Sequence, residues 1–130
     1  VMSNGLSSVV TFHGTLNNQP LIDKLRAAHV LVVPSSYEGF GIVYLEGMGF
    51  GLPAIGTTAG AASEVIDDGV TGFLIQPGNA RGLADQLQLL SERRDILLEM
   101  SLAARSRYLR QPKWSQTARR IREFLLSFLG

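Results

Sequence analysis

Three short apolar runs, Val30-Leu-Val-Val-Pro34, Ala54-Ile-Gly-Thr57 and Gly72-Phe-Leu-Ile75, alternate with helix-patterned segments along this chain. Runs of this kind carry no polar alternation, which suits strands buried on both faces of a sheet. Between them, Ile42 to Phe50 reads as a short helix ended by Gly51-Leu-Pro53, and Ser63-Glu-Val-Ile66 as a helical turn. Strands alternating with helices imply a parallel sheet with helices on both faces. In such sheets ligands bind beyond the carboxyl ends of the strands. A further strand is expected at Val9-Val-Thr-Phe12, closed by Gly14. Asn17-Asn18 is expected to cap a helix with Pro20 in its first turn and with Leu21, Leu25 and Ala28 on one face.

Beyond Gly78 the pattern is helical. Asn79 is expected to cap a segment carrying Leu83, Leu87 and Leu90, and Ser91 the next, with Ile96, Met100 and Ala103. Gln111-Pro112 breaks that helix. Trp114, Ala118, Ile121, Leu125 and Phe128 then form a stripe on a terminal helix. These stripes are all expected to be core. The expected fold class is α/β: a Rossmann-like parallel sheet with flanking helices, ending in several helices.

The chain has 130 residues and 45% apolar residues, enough for one packed domain. Charged residues make up 18%, which argues against disorder. There is no cysteine, so neither a disulfide framework nor thiolate chemistry is available. His13 and His29 are far apart in sequence, and no metal-binding spacing is present. No apolar run reaches the roughly 18 residues of a membrane span, and no signal peptide opens the chain. Because it begins with Val1, the chain is expected to be a piece of something longer.

Charge is unevenly spread. Residues 1–92 hold three basic and eight acidic residues, and residues 93–130 hold nine basic and three acidic. A solvated helical face accounts for this. So does contact with anionic lipid head groups or an acidic partner. No aromatics are interleaved with the basic residues as in a nucleic-acid reader, and no nucleic-acid partner is expected.

The candidate site is Glu38-Gly-Phe-Gly-Ile-Val-Tyr-Leu-Glu46, which follows the Val30–Pro34 run. Gly39 and Gly41 permit a tight turn and close approach of a ligand. If the helix starts near Gly41, its first N–H groups lack intrahelical partners and carry the positive end of the helix dipole, a setting that binds phosphate. Glu46 would lie in the second turn and Glu38 in the loop before it. Neither carboxylate would contact phosphate, but each could accept hydrogen bonds from sugar or ribose hydroxyls. A purely structural turn is another reading. A glycosidase acid/base pair is a third, although N–H groups aimed at the site have no obvious use there. Thr57–Gly60 and Gly14–Leu16 follow two other expected strands, so three loops are expected to converge on one cleft.

Four blocks in order, Pro34-Ser-Ser-Tyr-Glu-Gly-Phe-Gly41, Glu46-Gly-Met-Gly-Phe-Gly-Leu-Pro53, Glu64-Val-Ile-Asp-Asp-Gly-Val-Thr-Gly-Phe-Leu-Ile-Gln-Pro-Gly78 and a Trp opening the last helix, resemble the C-terminal, donor-binding domain of GT-B retaining glycosyltransferases of family 4. The resemblance runs from about Val9 to Phe128. It implies that Glu38 faces the donor sugar as the catalytic carboxylate, holding its hydroxyls or stabilising positive charge at the anomeric carbon. It implies that Glu46 binds the ribose hydroxyls, that Gly39, Phe40 and Gly41 meet the sugar, and that Ile42 and Val43 meet the phosphates. Gly14, Thr15 and Leu16 would lie by the base.

The implied reaction is transfer of a hexosyl group from a UDP-, GDP- or ADP-sugar to an acceptor hydroxyl with retention, with no metal or other cofactor. A cytoplasmic location, peripheral to the inner face of the membrane, is expected from a separate feature, the clustered Arg105, Arg107, Arg110, Lys113, Arg119, Arg120 and Arg122.

Some of the family pattern is absent. Its phosphate-binding Arg and Lys, its first strand and its N-terminal acceptor domain lie upstream of this chain, so the isolated chain is expected to be inactive. Gly47 and Gly49 stand where the family usually has alanine, which would soften that helix. Gly60-Ala61 replaces a usual Gly-Gly, which would tighten the loop opposite the sugar. A different class of function also fits the sequence: a truncated, non-catalytic module that binds a protein partner or an anionic membrane.

Overall fold

The structure is a computed structural model and describes residues 4–37 and 39–128. Its elements, in chain order, are α1 (Asn18–Ala27), β1 (Leu31–Val33), α2 (Ile42–Gly49), β2 (Ala54–Thr57), α3 (Ala62–Val65), β3 (Gly72–Ile75), α4 (Ala80–Glu92), α5 (Arg94–Leu109) and α6 (Trp114–Ser127). The three strands form one parallel sheet in the order β1-β2-β3. Val32 pairs with Ile55 and Ile55 with Phe73, so the three expected apolar runs are the sheet.

Alternate strand residues feed two cores, as the period of two requires. Leu31, Val33, Ala54 and Leu74 face Tyr44 and Met48 of α2, Ala62 and Val65 of α3, and Ala104 of α5. Val30, Val32, Ile55, Phe73 and Ile75 face Leu83 and Leu90 of α4 and Ile96, Leu97 and Met100 of α5. Helices thus cover both faces, and α5 serves both layers.

Helix α5 also closes the end of α2. Ser101 Oγ donates to the Gly51 carbonyl at 2.6 Å, and the Arg105 guanidinium donates to the Gly49 carbonyl. A cation on the last carbonyls of a helix both satisfies them and opposes the negative end of its dipole. The α2 glycines are points of close approach. A Cβ on Gly47 would come within 2.7 Å of Leu31 Cδ2, and one on Gly49 within 3.1 Å of the Tyr108 ring.

Asn79 caps α4 as expected, its Oδ1 accepting from the Gly82 N–H at 2.8 Å. Several other expectations are corrected. Val9–Phe12 is not a strand. Its Val9 and Val10 N–H groups turn back to the Leu6 carbonyl instead of joining the open edge of β1, and Val9 and Phe12 are exposed. β-branched residues favour strands only where a neighbouring strand and a covering layer supply contacts, and this segment has neither. Helix α1 forms where expected, but Asn17 makes no side-chain cap.

Ser91 is not the cap of α5. It lies inside α4 and bonds back to the Gln88 carbonyl, while Arg93 separates the helices. The Arg93 guanidinium binds Asp95 at 2.6 Å and holds that carboxyl at about 2, below the usual range. Within α5, Ala104 is buried with Leu97 and Met100, and Ala103 is only half-buried.

The last correction concerns the terminal stripe. Helix α6 buries none of its residues, and Trp114 and Phe128 are 87% and 73% exposed. A 3.6-residue period reports that a helix has an apolar face, not what that face meets. Helix α1 likewise buries none of its residues.

Candidate functional site: the connection from β1 to α2

The carboxyl ends of the strands are Val33, Thr57 and Ile75. Pro34, Thr57, Ile75 and Asn79 line a recess of about 210 Å³ at these ends. Next to it, the segment leaving β1 enters α2 through Gly41. Gly41 has φ +66° and is the N-cap of α2. This left-handed backbone explains why glycine stands there. Space is limited as well as shape: a Cβ on Gly41 would come within 3.0 Å of Val65 Cγ2 and 3.5 Å of the Ala61 carbonyl oxygen. The turn is therefore packed directly against the loop that follows β2.

Because α2 starts at Ile42, its first N–H groups face outward from the helix start. Those of Tyr44 and Leu45 bond to the Gly41 carbonyl. Those of Ile42 and Val43 have no hydrogen-bond partner among the described residues. Two donors at the positive end of a helix make a ready anion site. Ile42 is exposed and Val43 half-buried. Gly39 has open space around it, and Phe40 is 83% exposed. Glu38 lies outside the described residues.

Glu46 sits in the second turn of α2 and is exposed. It borders a groove of about 360 Å³ shared with Asn18, Leu21, Ile22 and Leu25 of α1 and with Tyr108. The beginning of α1 thus comes opposite Glu46. Gly14, with φ +62°, and Thr15 are exposed, and Leu16 is half-buried. No hydrogen bond among the described residues ties these three to the turn.

The structure brings Gly41, Ile42 and Val43 to the loop after β2 and places Glu46 on the neighbouring side, facing α1. It does not place Gly14–Leu16 at the end of a sheet strand. No cluster of three His, Asp or Glu residues suited to a metal occurs among the described residues.

Two buried hydroxyls lie at the site: Thr57, which the sequence placed at the start of a loop expected to reach the cleft, and Tyr44, which it did not single out. Thr57 and Tyr44 are 1% and 0% exposed, and both bond to the backbone that leaves β1. For Thr57 the signal was its place at the carboxyl end of an expected strand; for Tyr44 it was only a polar group within an otherwise apolar helix. Asn18 in the Glu46 groove gave no signal at all beyond its place as a helix starter.

Comparison with known proteins gives a consistent picture. The family model for glycosyl transferases group 1 matches residues 2–107. A D-inositol 3-phosphate glycosyltransferase of Streptomyces griseus subsp. griseus is 35% identical over 100 residues, covering 77% of this chain and 21% of the relative. A sucrose synthase of Acidithiobacillus caldus is 40% identical over 96 residues, covering 71% of this chain and 12% of the relative. This chain therefore spans about a fifth or less of the length of these curated relatives.

Among solved structures, a sucrose-phosphate synthase of Thermosynechococcus elongatus superposes with a TM-score of 0.86 at 28% identity, over 98% of this chain and 32% of that one. Anabaena HepE in complex with UDP-glucose superposes with a TM-score of 0.84 at 28% identity, over 97% of this chain and 34% of that one.

Proposed function

Since this chain belongs to the glycosyl transferases group 1 family, we propose that it is a single Rossmann-like domain forming the donor-binding part of a longer, retaining hexosyltransferase. The observation that carries this reading is the helix start at Gly41, with the N–H groups of Ile42 and Val43 unpaired among the described residues and a carboxylate, Glu46, on the same helix. A nucleotide-sugar needs both: donors for its phosphates and an acceptor for its hydroxyls. HepE, a structure of the same fold, has been seen with UDP and with UDP-glucose. A UDP-sugar is accordingly the first donor to test, ahead of GDP- and ADP-sugars.

In this reading Gly39, Phe40 and Gly41 border the sugar, Ile42 and Val43 hold the diphosphate, and Glu46 takes the ribose hydroxyls. Glu38 stabilises positive charge at the anomeric carbon. Gly14, Thr15 and Leu16 approach the base from the α1 side of the Glu46 groove. The leaving phosphate is neutralised by N–H donors and by basic residues from elsewhere in the complete enzyme, with no resident metal or cofactor. Preorganised donors of this kind supply a large share of the rate in many enzymes. The acceptor is bound by a separate N-terminal domain, and the isolated 130-residue chain turns over no donor.

Glu46→Ala tests the assignment. In the complete enzyme it should raise the donor KM about 10- to 100-fold, the loss of a charge-assisted hydrogen bond to a hydroxyl, with the acceptor KM unmoved. An unchanged donor KM would remove Glu46 from the site.

A second reading concerns location, and the exposed stripe of α6 favours it. Trp114, Ile121, Leu125 and Phe128 are exposed on one side, and Arg119, Arg120 and Arg122 form no ion pair among the described residues. Apolar and basic faces on one helix suit the plane of an anionic membrane. No described helix is long and apolar enough to cross one. The proposed place is the cytoplasm, at the inner membrane face. The complete enzyme should co-sediment with vesicles containing phosphatidylglycerol at physiological salt and lose this on Trp114→Ser with Phe128→Ser. Absence of binding would assign the stripe to another part of the enzyme.

A further inference from the structure

The backbone leaving β1 is held by two hydroxyls that come from two different elements. Thr57, the last residue of β2, donates from Oγ1 to the Ser35 carbonyl at 2.7 Å. Tyr44, in the first turn of α2, donates from its phenol to the Val33 carbonyl at 3.3 Å. The carbonyls on either side of Pro34 are therefore both fixed from outside the loop.

The Thr57 hydroxyl also accepts from the Ala59 N–H at 3.4 Å, so one buried atom links the loop after β1 to the loop after β2. The Tyr44 ring runs beneath the same turn. A Cβ on Gly41 would come within 3.3 Å of Tyr44 Cδ2, and one on Gly56 within 2.9 Å of its hydroxyl oxygen. Gly56 is thus the position in β2 that makes room for the phenol.

The described residues of the loop these bonds hold are mostly exposed. Its aromatic residues, Tyr37 and Phe40, are 76% and 83% exposed. Side chains in water do not fix a backbone, and a loop with few buried contacts samples open states readily. Among the described residues, it is held at its ends: by the Thr57 and Tyr44 hydrogen bonds at one, and by the Gly41 cap of α2 at the other.

We propose that Thr57 and Tyr44 are positioning residues for the donor site: their hydroxyls hold the segment from Val33 to Ser35 so that the turn before α2 is already in its binding shape when the nucleotide-sugar arrives. The donor is then bound without first ordering the loop, a cost that would otherwise weaken affinity. This rests on the reading of the turn as the donor site.

Thr57→Val removes the hydroxyl at nearly constant volume, and Thr57→Ser keeps it. In the complete enzyme, Thr57→Val should speed amide hydrogen exchange at Ser36 to Gly41 about tenfold and raise the donor KM about tenfold. This is the upper range for one neutral hydrogen bond. The change in kcat should stay under about threefold, and the acceptor KM should not move. Thr57→Ser should restore both readouts, and Tyr44→Phe should move both in the same direction as Thr57→Val. A merely structural hydroxyl would lower the unfolding midpoint while leaving loop exchange and donor KM unchanged, and that result overturns the proposal. Faster loop exchange with an unmoved donor KM also overturns it. Glu46→Ala, assayed alongside, shows whether the donor reading has failed too, because that substitution acts on the nucleotide whatever the loop does.

Discussion

Glu38→Ala in the complete enzyme is expected to slow sugar transfer about 10²- to 10³-fold, the usual effect of removing one group that stabilises charge developed in the transition state. The loss should fall on kcat more than on donor KM. The reason lies in the chemistry assigned to the position. Departure of the nucleotide leaves positive charge at the anomeric carbon, and an ionised carboxylate beside it lowers the energy of that state more than that of the bound donor. Glu38→Gln keeps the size and the hydrogen-bonding carbonyl but removes the charge. If it is as damaging as Glu38→Ala, charge is the essential property. If it retains most activity, the residue only orients sugar hydroxyls. Steady-state kinetics with a near-UV spectrum as a check on folding separates these outcomes. Full activity in both variants would remove Glu38 from the mechanism.

Gly72→Ala is expected to be the most destabilising single substitution in the sheet. Gly72 opens β3 and pairs with Ala54 of β2. A Cβ at Gly72 would lie 1.9 Å from the Ala54 carbonyl oxygen and 2.8 Å from its nitrogen. These are backbone atoms held in the ladder, so the clash cannot be relieved by a side-chain rotation. Overpacking of a core costs about 1–3 kcal/mol where neighbours can shift, and here about 3 kcal/mol or more is expected. For a domain of this size that corresponds to a fall in Tm of about 10 °C. Calorimetry measures it directly. A fall of less than about 2 °C would show that β2 and β3 can separate at this point without cost. Gly39→Ala is the internal control, since a Cβ there meets open space.

The sequence revealed those parts of the fold whose physics is local. Continuous apolar runs marked β1, β2 and β3 because a strand covered on both faces has no polar side to show. Asn79 marked the start of α4 because its side chain replaces a missing backbone acceptor. The helix start at Ile42 was readable because only glycine sits easily at φ +66°. What failed depended on partners distant in sequence. Val9–Phe12 has the residues of a strand but no neighbour to pair with. The α6 stripe has the period of a packed helix, but none of its residues is buried. Ser91 is the local exception: it has the chemistry of a cap, but it bonds back to Gln88 within α4, and Arg93, paired with Asp95, marks the boundary instead. Thr57 was legible as the start of a loop at the cleft, but its hydrogen bond and that of Tyr44 were not, because they span 22 and 11 positions and a lone hydroxyl in an apolar run announces no partner.

The central claim is that the start of α2 binds the diphosphate of a nucleotide-sugar. An amide NMR titration of this chain with UDP, GDP and ADP, each with and without its sugar, tests it most directly. The account predicts weak, saturable shifts clustered at Gly39 to Val43 and at Glu46, strongest for one nucleotide. A well-dispersed spectrum that stays still up to millimolar nucleotide, or that shifts only at residues away from this helix start, would contradict it.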